Sequence, residues 1–480
     1  MTSLLVCLLV FISTFAAAQG GGNCSDNAAQ VPAAIKAVFD KPLYNNAVWG
    51  LRIVDLGTGK EMMDLEPRCN FFIGSVRKIF SVGELLNEVG PGYQFNTPVF
   101  RQGEVDGGGI LHGDLILVAS GDLTMGGRMN RDGSIAISNY DHNEADSLGN
   151  AVLTQPDPLA GYIELARRVA RSGIGEITGN VIIDDRLFQP FNFRGEFNVS
   201  PIFVNDDVVD VSINAVSINP TAAENPANVA WRPVSEALAI EPTVVMGAPG
   251  AEKSFKIDPL EPACIGQPGC KASVTGKVPV DFVPPLTGKN PWVQTVRITK
   301  PSNYARTVFI EALMEAGITV HATPAAENPV QLLPRKGSYA PNRVVAYLEG
   351  QPYSADAKFI LKVSYNIGAD TSLVLFGLTH GVDNMNDALK AEQTNLVKHY
   401  KIPEGEFHFV DGSGGGATTA TNRAVTQMLF DMKKRPAFPA FFDALPILGV
   451  DGSLGFVTQF ESDPTLAGAA GQVRAKTGTY

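Results

Sequence analysis

The sequence has 480 residues, of which 45% are hydrophobic and 18% are charged. These values are typical of globular proteins, and the length predicts about two to four compact domains rather than disorder or a fibrous repeat. The net charge is −11 and the chain has no Lys/Arg-rich run, so nucleic acid is not expected as a partner.

The chain begins with an apolar segment at residues 3–18 that ends in Ala16-Ala17-Ala18. Small residues after an apolar run are typical of a signal-peptidase site, so residues 1–18 are predicted to be a signal peptide. We therefore expect a periplasmic or secreted protein. The run is shorter than a transmembrane helix, and the mature chain is predicted to have no integral membrane span.

Five cysteines are present, and Cys7 falls in the predicted signal peptide. In an exported protein the other four can form disulfides. Cys264 and Cys270 could close a small loop, with Cys24 and Cys69 as the second pair, although four cysteines allow three pairings and free thiols. No Cys-Xaa-Xaa-Cys or paired His accompanies them, so no metal site is expected.

Residues 47–55 and the stretch after Gly57-Thr58-Gly59 are predicted to form a hairpin. Over residues 74–89 apolar side chains recur at helical spacing, and Gly90-Pro91 ends the pattern. Ser75 is therefore predicted to lie in the first turn of a helix.

The middle of the chain has a different texture, with short strand-like runs and many Gly, Pro and Asn residues between about 95 and 300. One helix is predicted near 162–172. Further helical patterns follow, and a final extended stretch is predicted at 472–480. The predicted helical segments after residue 300 are 303–316, 355–378 and 421–434.

Ser75 and Lys78 are the only Ser and Lys in the chain with this three-residue spacing. On a helix the spacing puts both side chains on one face, so the amine can reach the hydroxyl. A serine needs an adjacent base to become nucleophilic, and a lysine serves as that base when burial or nearby positive charge lowers its pKa. Arg77 and Lys476 are the candidate sources of that charge.

Two more polar motifs are candidates for the same cleft. Lys476-Thr477-Gly478, followed by Thr479, lies in the predicted extended stretch, where alternate side chains would face a cleft and Gly would let a substrate backbone approach. The Ser-Xaa-Asn pattern occurs four times, at Ser25-Asp26-Asn27, Ser212-Ile213-Asn214, Ser217-Ile218-Asn219 and Ser364-Tyr365-Asn366. The last triplet is selected because it lies between the other two motifs, beside a helical pattern.

Ser-Xaa-Xaa-Lys, Ser-Xaa-Asn and Lys-Thr-Gly in this order resemble the motifs of penicillin-binding proteins and serine β-lactamases. Residues 111–122, 410–416 and 444–480 look like the D-alanyl-D-alanine carboxypeptidase/endopeptidase family, the class C low-molecular-mass penicillin-binding proteins. The resemblance implies an α/β (α+β) fold with a transpeptidase-like catalytic domain. That domain would comprise 19–94 and 300–480, and 95–299 would be an inserted β-rich region of two subdomains.

The resemblance also implies the role of each motif. Ser75 would attack the penultimate D-Ala carbonyl of a peptidoglycan stem peptide, Lys78 would accept its proton, and Ser364 with Asn366 would relay protons and position the substrate. Lys476 and Thr477 would bind the terminal carboxylate, Gly478 would let the substrate backbone approach, and the backbone N–H groups of Ser75 and Thr479 would form the oxyanion hole. β-Lactams would bind at the same site, and no metal or organic cofactor is implied.

The sequence departs from the family pattern in two places. Gly415-Gly416-Ala417 replaces the usual Leu-Ser-Arg after Asp-Gly-Ser-Gly, and relatives continue through further elements after the Lys-Thr-Gly strand, so a C-terminally truncated catalytic domain is expected. Two alternatives stay open: a β-lactamase or esterase on the same scaffold, and a non-catalytic cell-wall binding protein. The acidic pairs Asp184-Asp185 and Asp206-Asp207 are interpreted as structural.

Overall fold

A computed structural model describes residues 9–13, 31–66, 68–144, 149–217 and 225–479. Several sequence predictions fall outside these ranges. They concern most of the signal peptide (1–8 and 14–18), Cys24, the triplet Ser25-Asp26-Asn27 and the end of the triplet that begins at Ser217.

The helices are numbered here in chain order. They are α1 (Ala33–Phe39), α2 (Lys78–Val89), α3 (Ala160–Arg171), α4 (Pro301–Glu315), α5 (Tyr353–Val363), α6 (Asn366–Thr379), α7 (Met385–His399), α8 (Asn422–Met432) and α9 (Phe438–Ala444). Within the described ranges, none of them combines the length and the apolar character that crossing a bilayer would require.

The strands are numbered in the same way. They are β1 (Leu9–Ser13), β2 (Val48–Val54), β3 (Glu61–Leu65), β4 (Asn70–Phe72), β5 (Gln94–Val105), β6 (Ile110–Val118), β7 (Glu176–Ile177), β8 (Val181–Asp184), β9 (Phe191–Phe193), β10 (Phe197–Val199), β11 (Val208–Ser217), β12 (Ala227–Arg232), β13 (Ala239–Gly247), β14 (Ser254–Asp258), β15 (Lys271–Pro279), β16 (Trp292–Arg297), β17 (Thr319–Val320), β18 (Val344–Pro352), β19 (Phe407–His408) and β20 (Thr419–Thr421).

The chain divides into two compact units. The first comprises Met1–Gly92 and Ala357–Tyr480, and the second comprises Tyr93–Asp356. The second unit therefore extends beyond the predicted insertion at 95–299 and forms one compact body. The reason is that β18 pairs antiparallel with β5 and α4 packs on α3, which ties residues 301–352 to the β-rich region.

The first unit is built from helices around the segment that follows β4. Strands β1, β2 and β3 form an antiparallel sheet, and β4 pairs with β20, which in turn pairs with β19. Helix α2 packs against α6, and α6 packs against α7. The apolar side chains that the helical spacing predicted in α2, including Phe80, Val82 and Leu86, are fully buried. Their burial holds the start of α2 in a fixed position.

The second unit is organised on a mixed sheet with the order β17-β7-β6-β5-β18, in which β8 pairs with β6. Helices α3 and α4 pack together beside it. The described part of this unit also contains two three-stranded sheets, β12-β11-β16 and β13-β15-β14, and the hairpin β9-β10. Cys264 and Cys270 form a disulfide in this unit. The predicted α/β class with a β-rich insertion is thus confirmed.

One predicted helical segment is interrupted. The pattern over 355–378 corresponds to α5 and α6, which are separated at Ser364 and Tyr365. Ser364 has a φ of 64°. This left-handed conformation cannot continue a right-handed helix and is unfavourable for a residue with a Cβ atom. The break lies in the triplet that the sequence selected as part of the site.

Candidate active site

Ser75 lies on a short 3₁₀ turn, Gly74–Arg77, that leads directly into α2. Val76 and Ile79 are buried on either side of the polar face, which anchors the turn. Lys78, the first residue of α2, is fully buried. Its Nζ lies 2.5 Å from Ser75 Oγ, so the i to i+3 spacing brings the two groups into direct contact.

Lys78 Nζ also lies within hydrogen-bond distance of three groups from more distant parts of the first unit. It lies 2.7 Å from Asn366 Oδ1, 3.1 Å from the Ser413 carbonyl oxygen and 3.3 Å from Ser364 Oγ. With Ser75 Oγ, four neutral oxygens surround the amine. This arrangement orients the amine towards the hydroxyl group.

Ser364 is held at the break between α5 and α6. Asn366 begins α6, and Tyr365 between them is buried against Phe359. Ser364 Oγ lies 3.3 Å from Lys78 Nζ and accepts a hydrogen bond from Lys476 Nζ at 2.8 Å. The hydroxyl therefore lies between the two amines and is in reach of both.

The third motif follows a short backbone ladder instead of forming a strand of its own. Arg474 makes an isolated bridge with Ile447, and the Ala475 amide donates to the Pro446 carbonyl at 3.0 Å. Beyond that point, residues 476–479 have no regular secondary structure. The predicted extended stretch is therefore strand-like only at residues 473–475.

Residues 478 and 479 instead lie against the backbone just before Ser75. A Cβ atom on Gly478 would lie 2.1 Å from the Ile73 carbonyl oxygen, and one on Gly74 would lie 2.9 Å from Thr479 N. Contacts this short are not tolerated, so both positions require glycine. The approach brings the Thr479 amide next to Ser75.

An ion pair between the buried Lys362 and the half-buried Asp451 lies near Ser364. Lys362, two residues before Ser364, donates to both Asp451 carboxylate oxygens at 2.6 and 2.7 Å. Burial lowers the pKa of Lys362, and the Asp451 carboxylate opposes that shift. Ser453 Oγ, two residues after Asp451, lies 3.4 Å from Thr477 Oγ1. The loop thus connects the Ser364 break with the Lys-Thr-Gly motif.

Sequence reasoning missed the loop at residues 411–415. Its Ser413 is fully buried and contributes a backbone carbonyl to Lys78. A backbone carbonyl carries no side-chain signature, although the Asp-Gly-Ser-Gly-Gly run was visible. A Cβ atom on Gly414 would lie 1.9 Å from the Gly74 carbonyl oxygen, so the loop also lies directly against the Ser75 turn.

The expectation that Arg77 supplies positive charge beside Lys78 needs correction. Its guanidinium group donates to Glu392 at 2.5 Å and to the Asp411 carbonyl at 2.8 Å, so the Glu392 carboxylate balances the charge. Lys476 is the cation that shares an oxygen with Lys78.

The competing triplet that the structure describes in full, Ser212-Ile213-Asn214, lies within β11 of the second unit. Ile213 is buried, and Ser212 and Asn214 are half-buried within the antiparallel ladders of β11. An ordinary strand position accounts for this triplet.

The second unit contains a compact group of possible metal ligands, Asp141, His142 and Asp206. Arg128 lies among them and donates to both Asp141 and Asp206, and His142 Nδ1 lies 2.7 Å from Asp210. Burial alone would lower the pKa of His142, but the Asp210 and Asp206 carboxylates raise it to about 10. The guanidinium and imidazolium groups therefore balance the carboxylates, which supports the structural interpretation of Asp206.

Comparison with known proteins adds independent information. The chain is 24% identical over 485 residues to a D-alanyl-D-alanine carboxypeptidase of Actinomadura sp. (strain R39), a match that covers 93% of this chain and 75% of that protein. The fold of this chain is similar to that of penicillin binding protein 4 (dacB) from Haemophilus influenzae. The TM-score is 0.61 and the identity 17%, and the match covers 90% of this chain and 84% of that one.

A second structure of the Haemophilus influenzae protein, in complex with a β-lactam, matches with a TM-score of 0.60 and 17% identity, and the match covers 89% of this chain and 83% of that one. The family model described as D-Ala-D-Ala carboxypeptidase 3 (S13) matches residues 31–480. The expected likeness to penicillin-binding proteins is thus confirmed for the fold. The chain belongs to the D-Ala-D-Ala carboxypeptidase 3 (S13) family of peptidases.

Proposed function

We propose that Ser75 is the nucleophile with which this serine D-Ala-D-Ala carboxypeptidase releases the terminal D-Ala from peptidoglycan stem peptides. The observation that carries the proposal is the contact of 2.5 Å between Lys78 Nζ and Ser75 Oγ. A buried amine at this distance can take the hydroxyl proton as the oxygen attacks.

Acylation follows from the positions of the polar groups. Ser75 Oγ forms a bond to the carbonyl carbon of the penultimate D-Ala, and its proton passes to the neutral Lys78 amine. When the C–N bond breaks, Ser364 Oγ carries a proton towards the leaving amine, because it is in reach of both Lys78 and Lys476. Asn366 Oδ1 accepts from Lys78 Nζ and holds the amine in line.

Substrate binding would use residues 476–479, which follow the short backbone ladder at Arg474 and Ala475. Lys476 and the half-buried Thr477 would bind the terminal carboxylate, since a charge-assisted hydrogen bond is stronger than a neutral one. The N–H groups of Ser75 and Thr479 would stabilise the oxyanion, at about 3 kcal/mol per donor. Gly478 would leave room for the substrate backbone.

Water would then attack the carbonyl carbon of the acyl-enzyme and give a proton to Lys78. As the ester C–O bond breaks, Lys78 would return that proton to Ser75 Oγ, which restores the free serine and releases the shortened peptide. The same chemistry with a cross-linked D-Ala amide as the leaving group is a DD-endopeptidase reaction, and a β-lactam would acylate Ser75 at its strained amide. The predicted signal peptide would deliver the enzyme to the periplasm or the cell exterior, where peptidoglycan lies.

The activity is tested by incubating the full chain with a stem pentapeptide that ends in D-Ala-D-Ala and measuring free D-Ala. Release is expected to be abolished in Ser75→Ala and retained in Ser172→Ala, a surface position in the second unit. Cleavage of a cross-linked muropeptide dimer is expected to follow the same dependence on Ser75.

Two results would overturn the proposal in different directions. Binding of the pentapeptide without D-Ala release would indicate a non-catalytic cell-wall protein. Rapid turnover of penicillin, with no D-Ala release from the pentapeptide, would indicate a β-lactamase.

A further inference from the structure

Arg77 lies between Ser75 and Lys78 in the sequence, yet its side chain is completely buried and points to neither of them. Its Nη2 donates to Glu392 of α7 at 2.5 Å, and its Nε donates to the Asp411 carbonyl at 2.8 Å. The guanidinium group also covers the Phe409 ring at 4.1 Å. A single side chain thus connects the Ser75 turn with α7 and with the segment 409–411.

A second buried glutamate lies beside this ion pair. Glu84, about two turns further along α2 than Arg77, neighbours Glu392, and its Oε1 accepts from Asn395 Nδ2 at 2.7 Å. Burial and the neighbouring Glu392 carboxylate raise the pKa of Glu84 well above its usual value. This shift favours the protonated form of Glu84 beside the Glu392 carboxylate that pairs with Arg77.

Asp411 organises the loop that follows it. Its carboxylate accepts from the amides of Ser413 at 3.1 Å, Gly414 at 2.7 Å and Gly415 at 2.9 Å. The next residue, Gly412, is also fixed, since its carbonyl accepts from Ser81 Oγ at 2.7 Å. Arg77 binds the Asp411 carbonyl, and the Asp411 carboxylate binds three amides of the loop that follows. Arg77 therefore fixes the residue on which the start of this loop depends.

The end of this connection is the base itself, because the Ser413 carbonyl accepts from Lys78 Nζ at 3.1 Å. We propose that Arg77 is a positioning residue for the acylation of Ser75: through the Asp411 carbonyl it holds the loop 411–415, and the Ser413 carbonyl then orients Lys78. This inference rests on the function proposed above. It also gives the Asp-Gly-Ser-Gly-Gly run a role that does not need the Leu-Ser-Arg of the family.

The ion pair alone does not require this arrangement. Replacing both members of a buried ion pair with neutral groups often leaves stability unchanged. The guanidinium group, however, binds a carboxylate and a carbonyl at the same time from a rigid planar fork, which a lysine cannot reproduce. If Arg77 served only to balance charge, the bond to the Asp411 carbonyl would not be needed. A variant that keeps the charge and loses this bond therefore tests the positioning role.

The test compares variants of the full chain in acylation by penicillin, resolved into the dissociation constant of the first complex and the acylation rate constant. In the double variant Arg77→Met/Glu392→Gln the cluster is neutral, so the chain is expected to fold. Its acylation rate constant is expected to fall on the order of 100-fold, as for a catalytic group displaced by about 1 Å, with the dissociation constant unchanged. The acylation rate constant of Arg77→Lys, which retains the positive charge, is expected to fall as well.

The matched control is Arg52→Met, which removes another arginine of the first unit that is paired with a glutamate, Glu61, at 3.0 Å. Its acylation rate constant is expected to equal that of the wild type. If the double variant and Arg77→Lys also acylate at the wild-type rate, Arg77 is only an ion-pair partner and the inference is overturned.

Amide hydrogen exchange gives a readout that does not depend on activity. The amides of residues 413–415 are expected to exchange at least tenfold faster in the double variant than in the wild type or in Arg52→Met. Unchanged exchange overturns the positioning role. A wild-type chain that penicillin never acylates overturns the proposed function, and the exchange result still decides whether Arg77 holds the loop.

Discussion

The two units each bury a basic side chain, and the surroundings of the two side chains differ. In the second unit, Arg128 donates to the carboxylates of Asp141 and Asp206, and His142 and Arg232 contact Asp210. In the first unit, the Lys78 amine contacts hydroxyl, amide and carbonyl oxygens. Carboxylates hold Arg128 in its charged form, whereas these oxygens fix the position of the Lys78 amine beside Ser75.

This difference explains why buried charge alone does not identify an active site. The Arg128 cluster has strongly shifted groups, since the pKa of Asp206 is far below its usual value because Arg128 and His142 outweigh the effect of burial. A carboxylate with a shifted pKa is a functional candidate only when it can still exchange a proton or contact a substrate. Here the carboxylates of Asp141, Asp206 and Asp210 pair with Arg128, His142 and Arg232, which is the pattern of a structural network.

The largest effect is expected for Lys78→Met. Loss of the base should slow acylation by penicillin on the order of 1,000-fold. The free energy of unfolding should stay close to that of the wild type, because a hydrophobic side chain of similar volume replaces a buried charge. Stopped-flow acylation and urea unfolding measure the two quantities. If the free energy of unfolding fell and the acylation rate did not change, Lys78 would have the structural role that is assigned here to Arg128.

Arg128→Met should give the opposite result. It leaves the Asp141 and Asp206 carboxylates without their main partner, so the free energy of unfolding should fall by about 3–5 kcal/mol. Acylation per folded molecule should remain at the wild-type rate. Arg171→Met is the control, because its pair with Glu164 is exposed and should contribute less than about 1 kcal/mol. Equal losses in the two variants would mean that the buried network has no special weight.

The two Ser-Xaa-Asn triplets that the structure describes in full, at Ser364 and Ser212, provide a matched pair. Ser364→Ala removes the hydroxyl between Lys78 and Lys476 and should slow D-Ala release about 100-fold. Ser212→Ala makes the same change in β11 and should leave the rate unchanged. The kcat/KM values for a stem pentapeptide decide between them, and equal rates would remove Ser364 from the site.

The smallest effect concerns pH. The carboxylates around His142 raise its pKa to about 10, so its contribution to stability is present below the unfolded value near 6.5 and is lost as pH rises through 10. Between pH 7 and 10 the free energy of unfolding should therefore fall more steeply in the wild type than in His142→Gln. Urea unfolding at several pH values measures this. Parallel curves would indicate a neutral His142.

Much of the site could be predicted from side-chain patterns. The helical spacing after Ser75 predicted α2, and the order of the three motifs selected Ser364, whose hydroxyl lies between Lys78 and Lys476. Helices near 162–172, 303–316 and 421–434 correspond to α3, α4 and α8. These features depend on local periodicity, which a sequence displays directly.

The remaining features depend on contacts between distant residues or on the backbone. The partnership of Arg77 with Glu392 spans 315 positions; Arg77 occupies a variable position of the Ser-Xaa-Xaa-Lys motif, and Glu392 lies in no motif. The Ser413 carbonyl has no side-chain signal, and the break at Ser364 is set by one left-handed residue within an otherwise helical pattern. The second unit extends to Asp356 because β18 pairs with β5 across more than two hundred residues.

The most direct test of the acylation site is the mass of the peptide that contains Ser75 after the full chain has reacted with penicillin. The account predicts one penicilloyl adduct on Ser75, lost in Ser75→Ala and formed far more slowly in Lys78→Met. An adduct on a different serine, or a full chain that never reacts, would contradict it.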